Sequence, residues 1–345
     1  NGNYVVSSGL WDNGTAVDAG AVTWGSGTSG VAGAIDATKS LVGSTTNDRV
    51  GQASVVALPN GNYVVSSGLW DNGTAVDAGA LTWGSGTSGV AGLINATTSL
   101  VGSSTEDRIG TGGLKVLSNG NYVVPSPYWN SNTASNAGAI TLGSGTSGIV
   151  GTINAANSLI GSAPEDRVGD GGVTELTNGS YVVRSQNWNN GAIQMAGAVT
   201  LSSDGGGVTG TIDTINSVLG LTPYGGLKLY TVYDELNQRL FVVRSADDRI
   251  TVIALGISGL IASNDGPTTL GGATAFSASV TDGPNVTYSW DFGDGSTGSG
   301  ASPTHTYAAP GSYSATVTAT NTFGSVTARS TVLVTYRLAL PLLLR

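Results

Sequence analysis

The sequence predicts an all-β protein made of tandem repeats and a separate β-sandwich. Residues Asn1–Gly33 return at Asn60–Gly92 with a single difference. The phrase NGNYVV, or its variant NGSYVV, recurs every 59 residues, so that repeats begin at 1, 60, 119 and 178. Of 345 residues 54 are Gly and only 10% are charged, while Val, Thr and Ser are abundant. That composition favours short strands joined by many turns.

Each repeat is expected to hold four antiparallel strands. An Asn-Gly turn between the VTxL and YVV phrases is a strong hairpin signal, and it joins the first two strands. A third apolar stretch covers 19–25 and a fourth covers 31–43. Units of this kind and period suit the blades of a β-propeller. An open β-solenoid is the alternative, because near-identical neighbours also suit a linear stack.

The domain organisation follows from where the repeat weakens. A degenerate copy at 225–256 lacks the Trp and the Gly-rich turn, which is typical of a terminal, capping repeat. A polar stretch at 257–272 then marks a boundary near 256–262. We therefore predict a repeat domain at 1–256, a second domain at 257–336 and an apolar C-terminal tail at 337–345.

The repeats resemble a known family in several phrases. DRVG at 48–51, followed by the Asn-Gly turn, YVVSS, WDNG and AGAVTWGSGTSG, is similar to the FG-GAP repeats of integrin-type propellers. The resemblance implies a propeller over about 1–256. That family's calcium loop would need several carboxylates, whereas Leu58–Asn62 offers only amides in a tight turn. We therefore expect neither a metal nor another cofactor.

The second domain resembles the PKD family, an immunoglobulin-like β-sandwich. The matching phrases are YSWDFGDGSTGSG at 288–300, THTYAAPGSYSATVTATN at 304–321 and VTARSTVLVT at 326–335. The resemblance implies that Trp290 lies in the core and that Asp291, Asp294 and Gly295 shape a turn. It also implies an extracellular or cell-surface protein, since such modules serve there as spacers or adhesive units.

Charge and length exclude several functions. The net charge is −9 and the 13 Lys and Arg residues are scattered, so no basic stripe exists to bind nucleic acid. No apolar run reaches the roughly 18 residues of a transmembrane helix. The absence of Cys excludes disulfides and fits either a reducing cytosol or a bacterial surface protein. Because the first residue lies inside a repeat, a signal peptide and further repeats are expected upstream.

No catalytic set can be assembled from the sequence. The single histidine, His305, is expected to pack and to bond the backbone. Asp12 and Asp71 could in principle form paired carboxylates, but Asn130 and Asn189 occupy the same position in later repeats. The WDNG phrase is better explained as an Asx-type turn in which Asp12 and its neighbour Asn13 bond the backbone. We predict no catalytic residues and no enzyme.

Two sets of repeated residues have both a structural and a functional interpretation. The Asp-Arg pairs could form a ring of ligand contacts, although hydrogen bonding between blades is favoured. The tryptophans that recur once per repeat could stack on glycans or fill the space between blades. The pairs are Asp48-Arg49, Asp107-Arg108 and Asp166-Arg167, and the tryptophans are Trp11, Trp70, Trp129 and Trp188.

The C-terminal tail RLALPLLLR is similar to short tails of secreted bacterial proteins. As an apolar strand it could pair with a sheet edge of its own domain or of a neighbouring molecule. Its candidate assembly residues are Leu338, Leu340, Leu342 and Leu344.

Together these features predict a non-enzymatic, secreted or cell-surface bacterial protein with a structural or adhesive role, such as part of a filament, sheath or surface layer. Its expected partners are other copies of itself or neighbouring surface proteins. The alternative is a lectin-like or protein-binding propeller, which the divergent loops at 125–135 and 184–195 would favour.

Overall fold

The computed structural model describes residues 2–177, 179–202 and 206–336. The elements among them are all strands except for two short 3-10 turns, which confirms the all-β prediction. Two compact units make up the chain: the first runs up to Thr231 and includes Val242–Thr251, and the second comprises Val232–Phe241 and the chain from Val252 onward. The tail at 337–345 lies outside the described residues.

The repeats contain short strands at equivalent positions. In the first two repeats they are β1 (Tyr4–Ser8), β2 (Ala21–Gly25), β3 (Ser40–Val42), β4 (Ser54–Ala57), β5 (Tyr63–Ser67), β6 (Ala80–Gly84), β7 (Gly92–Leu93) and β8 (Ser99–Val101). From the end of the second repeat to the fourth they are β9 (Lys115–Val116), β10 (Tyr122–Ser126), β11 (Ala139–Gly143), β12 (Gly151–Thr152), β13 (Ser158–Ile160), β14 (Val173–Glu175), β15 (Tyr181–Ser185), β16 (Ala198–Ser202), β17 (Gly210–Thr211) and β18 (Ser217–Leu219).

The Asn-Gly turn joins two antiparallel strands, as predicted. In the second repeat β4 pairs with β5, and Val55 lies opposite Val65. The turn closes through a bond from the Leu58 N–H to the Asn62 carbonyl (2.8 Å). Gly61 has a φ of +88°, which favours glycine there. The same hairpin joins β9 to β10 and β14 to β15.

The predicted fourth strand, the stretch at 31–43 and its equivalents, is wrong as a single strand. In the second repeat it divides into β7 and β8 because Asn95 makes a turn, accepting a bond from the Thr97 N–H (2.8 Å). Only β8 stays with its own repeat, where it pairs with β6. The short β7 instead pairs in parallel with β3 of the first repeat.

This strand exchange is repeated along the array. The equivalent β12 pairs in parallel with β8, and β17 pairs in parallel with β13. The second and third sheets therefore have five strands, ordered β12-β8-β6-β5-β4 and β17-β13-β11-β10-β9. Each repeat contributes one strand to the sheet of the repeat before it.

The hydrophobic cores lie between successive sheets. Between the first two repeats, Val22, Leu41 and Val50 of the first pack with Tyr63 and Val65 of the second. Alternate residues of β5 point in opposite directions, so that the neighbouring Val64 packs in the next core. Equivalent cores join the second repeat to the third and the third to the fourth. These contacts place each sheet beside that of the next repeat in sequence order, and the described residues show neither a closed propeller nor a solenoid.

The degenerate copy contains two 3-10 turns, Gly225–Lys228 and Ser245–Asp247, and three strands, β19 (Leu229–Asp234), β20 (Arg239–Arg244) and β21 (Arg249–Ala254). Arg244 donates a hydrogen bond to the carbonyl of Leu219 in β18 (2.8 Å). The main-chain N–H of Leu221 bonds the carboxylate of Asp247. These bonds attach the degenerate copy to the fourth repeat.

The second unit contains the predicted β-sandwich. One sheet has the order β22-β24-β27 and the other the order β23-β29-β28-β25-β26. Trp290 is buried against Phe276 and Phe292, as the resemblance implied. The strands are β22 (Ile261–Asn264), β23 (Thr268–Thr269), β24 (Ala273–Ser279), β25 (Thr287–Asp291), β26 (Thr297–Ser299), β27 (Thr304–Thr306), β28 (Gly311–Asn321) and β29 (Gly324–Thr335).

Candidate functional site: the junctions between repeats

A buried aspartate links each repeat to the next. Asp107 accepts bonds from the N–H groups of Ser103 (2.8 Å) and Ser104 (2.9 Å) in its own repeat. Its other oxygen accepts the N–H of Asn130 in the third repeat (2.8 Å). Asp48 and Asp166 make the equivalent bonds to Asp71 (3.0 Å) and Asn189 (2.9 Å). We call this arrangement the aspartate clasp.

The clasp carboxylates are fully buried. Burial raises the pKa of Asp107, because removing the carboxylate from water disfavours its charge, while the hydrogen bonds from Asn130, Ser104 and Ser103 act in the opposite direction. Without its acceptor, each of these N–H groups would be buried and unsatisfied, which costs about 1 to 3 kcal/mol per group. The clasp therefore makes the end of one repeat dependent on the start of the next.

A single main-chain carbonyl forms a second polar link at each of the first two junctions. The carbonyl of Gly145, in the third repeat, accepts bonds from the side chains of Asn60 (2.8 Å), Asn62 (3.0 Å) and Trp83 (3.1 Å) of the second. At the first junction the carbonyl of Gly86 accepts equivalent bonds from first-repeat side chains, Asn3 included. The Asn-Gly turn thus serves the junction as well as its own hairpin.

The candidate glycan-binding tryptophans differ in burial. Trp70, Trp129 and Trp188 are only 4–5% exposed and pack in the cores between repeats. A sugar needs an exposed ring face, so these three fit the packing interpretation instead. Trp11, in the first repeat, is only partly buried. It is the member of the set on which the glycan prediction now depends.

The WDNG residues bond the backbone, but over longer distances than a local turn. Asp12 accepts a bond from the N–H of Asp18 (2.8 Å), six residues along the chain. Asn13 donates to the carbonyl of Gly43 (2.8 Å), at the end of the same repeat. An amide can replace the carboxylate at the first position, and Asn130 accepts the equivalent bond from the N–H of Asn136 (2.9 Å).

The two members of each Asp-Arg pair act separately. While the aspartates form the clasps, Arg49 faces Asp18 (3.6 Å) and Arg108 faces Asp77 (3.8 Å). The predicted hydrogen bonding between repeats is confirmed for the aspartates. The arginines are partly exposed, and such ion pairs contribute at most about 1 kcal/mol.

A groove of about 640 Å³ lies where the fourth repeat meets the third. One wall carries Arg167, whose Nε bonds Glu165 (2.9 Å). The opposite wall belongs to the divergent loop at 184–195 and includes Asn187, Gln194 and Met195. The groove therefore combines one charged pair, several amides and an apolar surface.

The WDFGDG turn of the second unit is held by its own carboxylates, as predicted. Asp291 accepts the N–H of Gly293 (2.9 Å) and Asp294 accepts that of Ser296 (3.0 Å). His305 bonds Asp294 (2.7 Å) and stacks on Phe292 (4.3 Å between ring centres). The Nε2 of His305 thus bonds side chains, whereas the backbone bond expected for this residue stays a prediction. Although burial acts to raise the pKa of Asp294, its hydrogen bonds with Ser296 and His305 hold that pKa at about 2.

Within residues 2–177, 179–202 and 206–336, no three His, Asp or Glu side chains lie close enough together to hold a metal ion. No helix among the described residues is long and apolar enough to cross a membrane.

Comparison with known families identifies the family of the repeats. The model of a repeat of unknown function, DUF5650, matches residues 1–52, 57–111, 116–170 and 175–226. The chain belongs to the DUF5650 repeat family. Those boundaries follow the 59-residue period, and each matched stretch ends near a clasp or its equivalent position. The resemblance to FG-GAP propellers is not shown by these matches.

The PKD domain model matches residues 259–334 and confirms the second resemblance. Among solved structures, the chain is similar to the PKD1 domain of the Vibrio cholerae metalloprotease PrtV, with 30% identity over 23% of this chain and 98% of that one and a TM-score of 0.21. It is also similar to the PKD domain of human SorCS2 (26% identity, 24% and 80% coverage, TM-score 0.22) and to the PKD1 domain of Vibrio anguillarum Epp (23%, 24% and 100%, 0.20). No curated protein matches the chain.

The two families are non-catalytic module types. PKD domains occur in extracellular bacterial proteins and suggest an adhesive or structural module.

Proposed function

We propose that this DUF5650 and PKD protein is a non-enzymatic structural or adhesive component of a bacterial surface, as part of a filament, sheath or surface layer. The observation that carries the proposal is the junction between repeats. Each junction combines an exchanged strand, an aspartate clasp and a shared core. Separating two repeats requires breaking all three, which suits an element that must span a distance.

An open stack supports this role better than a closed propeller. Junctions between neighbours let an array vary in length without redesign, because each added repeat brings its own interface.

The C-terminal tail is proposed as the strand that joins molecules. In this proposal Leu338, Leu340, Leu342 and Leu344 add to a sheet edge of a neighbouring copy. An apolar strand ending in Arg345 could supply both main-chain hydrogen bonds and buried side chains to such an edge.

Electron microscopy of the chain at several concentrations tests the proposal. One variant lacks 338–345, and a matched variant keeps the length but carries L338S, L340S, L342S and L344S. We expect ordered polymers of the parent chain and none from either variant. Assembly that persists in both would remove the tail from the proposal, and a parent chain that stays monomeric at all concentrations would contradict the structural role.

The groove between the third and fourth repeats favours a second candidate function, binding of a glycan or protein. Its amides and its Arg167–Glu165 pair offer hydrogen bonds, and Met195 offers an apolar surface. A glycan-binding screen with the parent chain and a Gln194→Ala variant tests this candidate, with a Trp11→Ala variant for the exposed ring. A ligand lost only in the Gln194→Ala variant would support the groove.

A further inference from the structure

The first repeat exposes a surface that every later repeat buries. Tyr4 is 42% exposed, whereas its equivalent Tyr63 is 4% exposed. Val6 is 45% exposed, whereas its equivalent Val65 is fully buried. In the second repeat, the cover comes from Val22, Leu41 and Val50 of the repeat before it. We call the surface around Tyr4 and Val6 the acceptor face.

The acceptor face also has an unpaired sheet edge. Residues 33–34 form no strand, although the equivalent segments β7, β12 and β17 each pair with the preceding repeat. An apolar groove of about 160 Å³ lies beside this edge, lined by Val6, Val31 and Ile35 among others. Ile94, the equivalent of Ile35, is 5% exposed and packs in the junction core.

The polar half of a junction is present on this face as well. In the second repeat the main-chain N–H of Asp71 bonds the clasp carboxylate of Asp48. The equivalent donor in the first repeat is the N–H of Asp12, a residue that is exposed. A complementary partner therefore needs a strand edge, a buried apolar cluster and a carboxylate.

We propose that the acceptor face binds one further DUF5650 repeat through that repeat's C-terminal face, in the tandem arrangement of the three internal junctions. Continuity with those junctions identifies the occupant. A preceding repeat supplies a strand of the S-L-V type, a clasp aspartate and the Val-Leu-Val cover, in the geometry already present between the first and second repeats. The proposal does not depend on the structural or adhesive role.

The period of 59 residues makes a direct test possible. A second copy of residues 60–118 is fused ahead of Asn1 in the full chain, so that Ser118 joins Asn1 as it naturally joins Asn119. Hydrogen exchange is then measured on peptides covering 4–22 and 31–37; the first extends to Val22 because 4–10 and 63–69 have the same sequence. We expect amide exchange in both peptides to slow by roughly tenfold or more, because a stable junction suppresses local opening. The thermal midpoint of the array should also rise.

Two controls make the result specific. In the first, Leu100→Asp is introduced into the added copy alone. Leu100 is the equivalent of Leu41, which packs with Tyr63 at the first junction, so a charge at this position should abolish the protection. In the second, the same copy is inserted between Ser118 and Asn119, where it has a neighbour on each side. An added copy that stays unfolded while the inserted copy folds would overturn the proposal.

Two other outcomes would also overturn it. One is a folded added copy that leaves exchange at 4–22 and 31–37 as it is in the parent chain. The other is concentration-dependent protection of those peptides in the parent chain with dimerisation in sedimentation, since the occupant would then be a second copy.

Discussion

The first and second repeats of this array differ in environment much more than in sequence. Over Asn1–Gly33 and Asn60–Gly92 the only difference is Val22 against Leu81. Their strands β1 and β5 have the same sequence and equivalent bounds. The residues of β5 are nevertheless all buried, whereas those of β1 are exposed or partly buried.

The difference shows that burial in this array is conferred by the preceding repeat. Within one repeat, β1 and β5 make the same antiparallel pairing, Tyr4 with Gly25 and Tyr63 with Gly84. What β5 gains is a neighbour that covers its outer face. Identical substitutions in the two repeats should therefore have unequal effects, and the inequality measures the junction.

The largest difference in stability loss between equivalent substitutions is expected for the tyrosine at the start of β1 and β5. Tyr63→Ala should cost about 3 to 5 kcal/mol, because it leaves a large cavity in the junction core. Tyr4→Ala should cost less than about 1 kcal/mol, because half-exposed side chains contribute little. Urea denaturation of both variants followed by circular dichroism measures the difference. Equal losses would mean that the junction contributes no more than the repeat itself.

The clasp should give the next largest effect. Asp107→Ala leaves the N–H groups of Ser103, Ser104 and Asn130 without their acceptor. We expect a loss of about 2 to 4 kcal/mol. Asp12→Ala, which removes one exposed bond to Asp18, should cost much less. The same denaturation experiment compares them, and a clasp variant as stable as Asp12→Ala would show that water replaces the carboxylate.

Much of the architecture was accessible from the sequence because its signals are local. The Asn-Gly turn determines a hairpin through the φ of its glycine, and the WDFGDG phrase carries its turn-forming carboxylates within a few residues. The 59-residue period identified the repeat, and the matched DUF5650 boundaries follow it. The predicted burial of Trp290 was likewise confirmed.

The strand exchange and the clasp partners were not accessible, because they depend on residues far apart in sequence. Val31–Gly43 has the apolar content of one strand, and no local signal shows that Gly92–Leu93 pairs with the preceding repeat. The recurring DR phrase did mark Asp48, but its acceptor role became clear only from the position of Asp71. The tryptophans were ambiguous because the same residue type packs in cores and binds sugars.

A smaller inequality is expected for the glycines that face the tyrosine rings. A Cβ on Gly84 would lie 2.2 Å from the ring of Tyr63, and one on Gly25 would lie 2.3 Å from the ring of Tyr4. Gly84→Ala should cost about 1 to 3 kcal/mol, since the buried ring has no space to move. Gly25→Ala should cost less, because the half-exposed Tyr4 can turn into solvent. Thermal denaturation of the two variants gives the comparison, and a costlier Gly25→Ala would contradict the assigned burial.

The smallest effect on stability is expected for a carboxylate outside the repeats, Asp294, which we compare with the clasp residue Asp107. Burial raises the pKa of Asp107, whereas the bonds from Ser296 and His305 hold the pKa of Asp294 at about 2, below its usual 3.8. A carboxyl with a depressed pKa stabilises the fold above its unfolded-state pKa and loses that contribution as the pH falls through its folded-state pKa. The PKD domain should therefore lose this contribution between about pH 4 and pH 2.

Hydrogen exchange of the peptide covering 288–307, measured in the full chain at pH 4.5 and at pH 2.5 and corrected for intrinsic rates, tests this with an Asp294→Asn variant beside the parent. The parent should lose protection on acidification, and the variant should begin less protected and lose less. The amide of the variant keeps one acceptor oxygen for Ser296 but replaces the carboxylate oxygen that faces His305, so the variant removes both the charge of Asp294 and its bond with His305. If the two chains lost protection equally, the acid sensitivity of this unit would have to come from its other carboxylates. The lowered pKa of Asp294 would then not stabilise the turn, and its contrast with Asp107 would have no effect on stability.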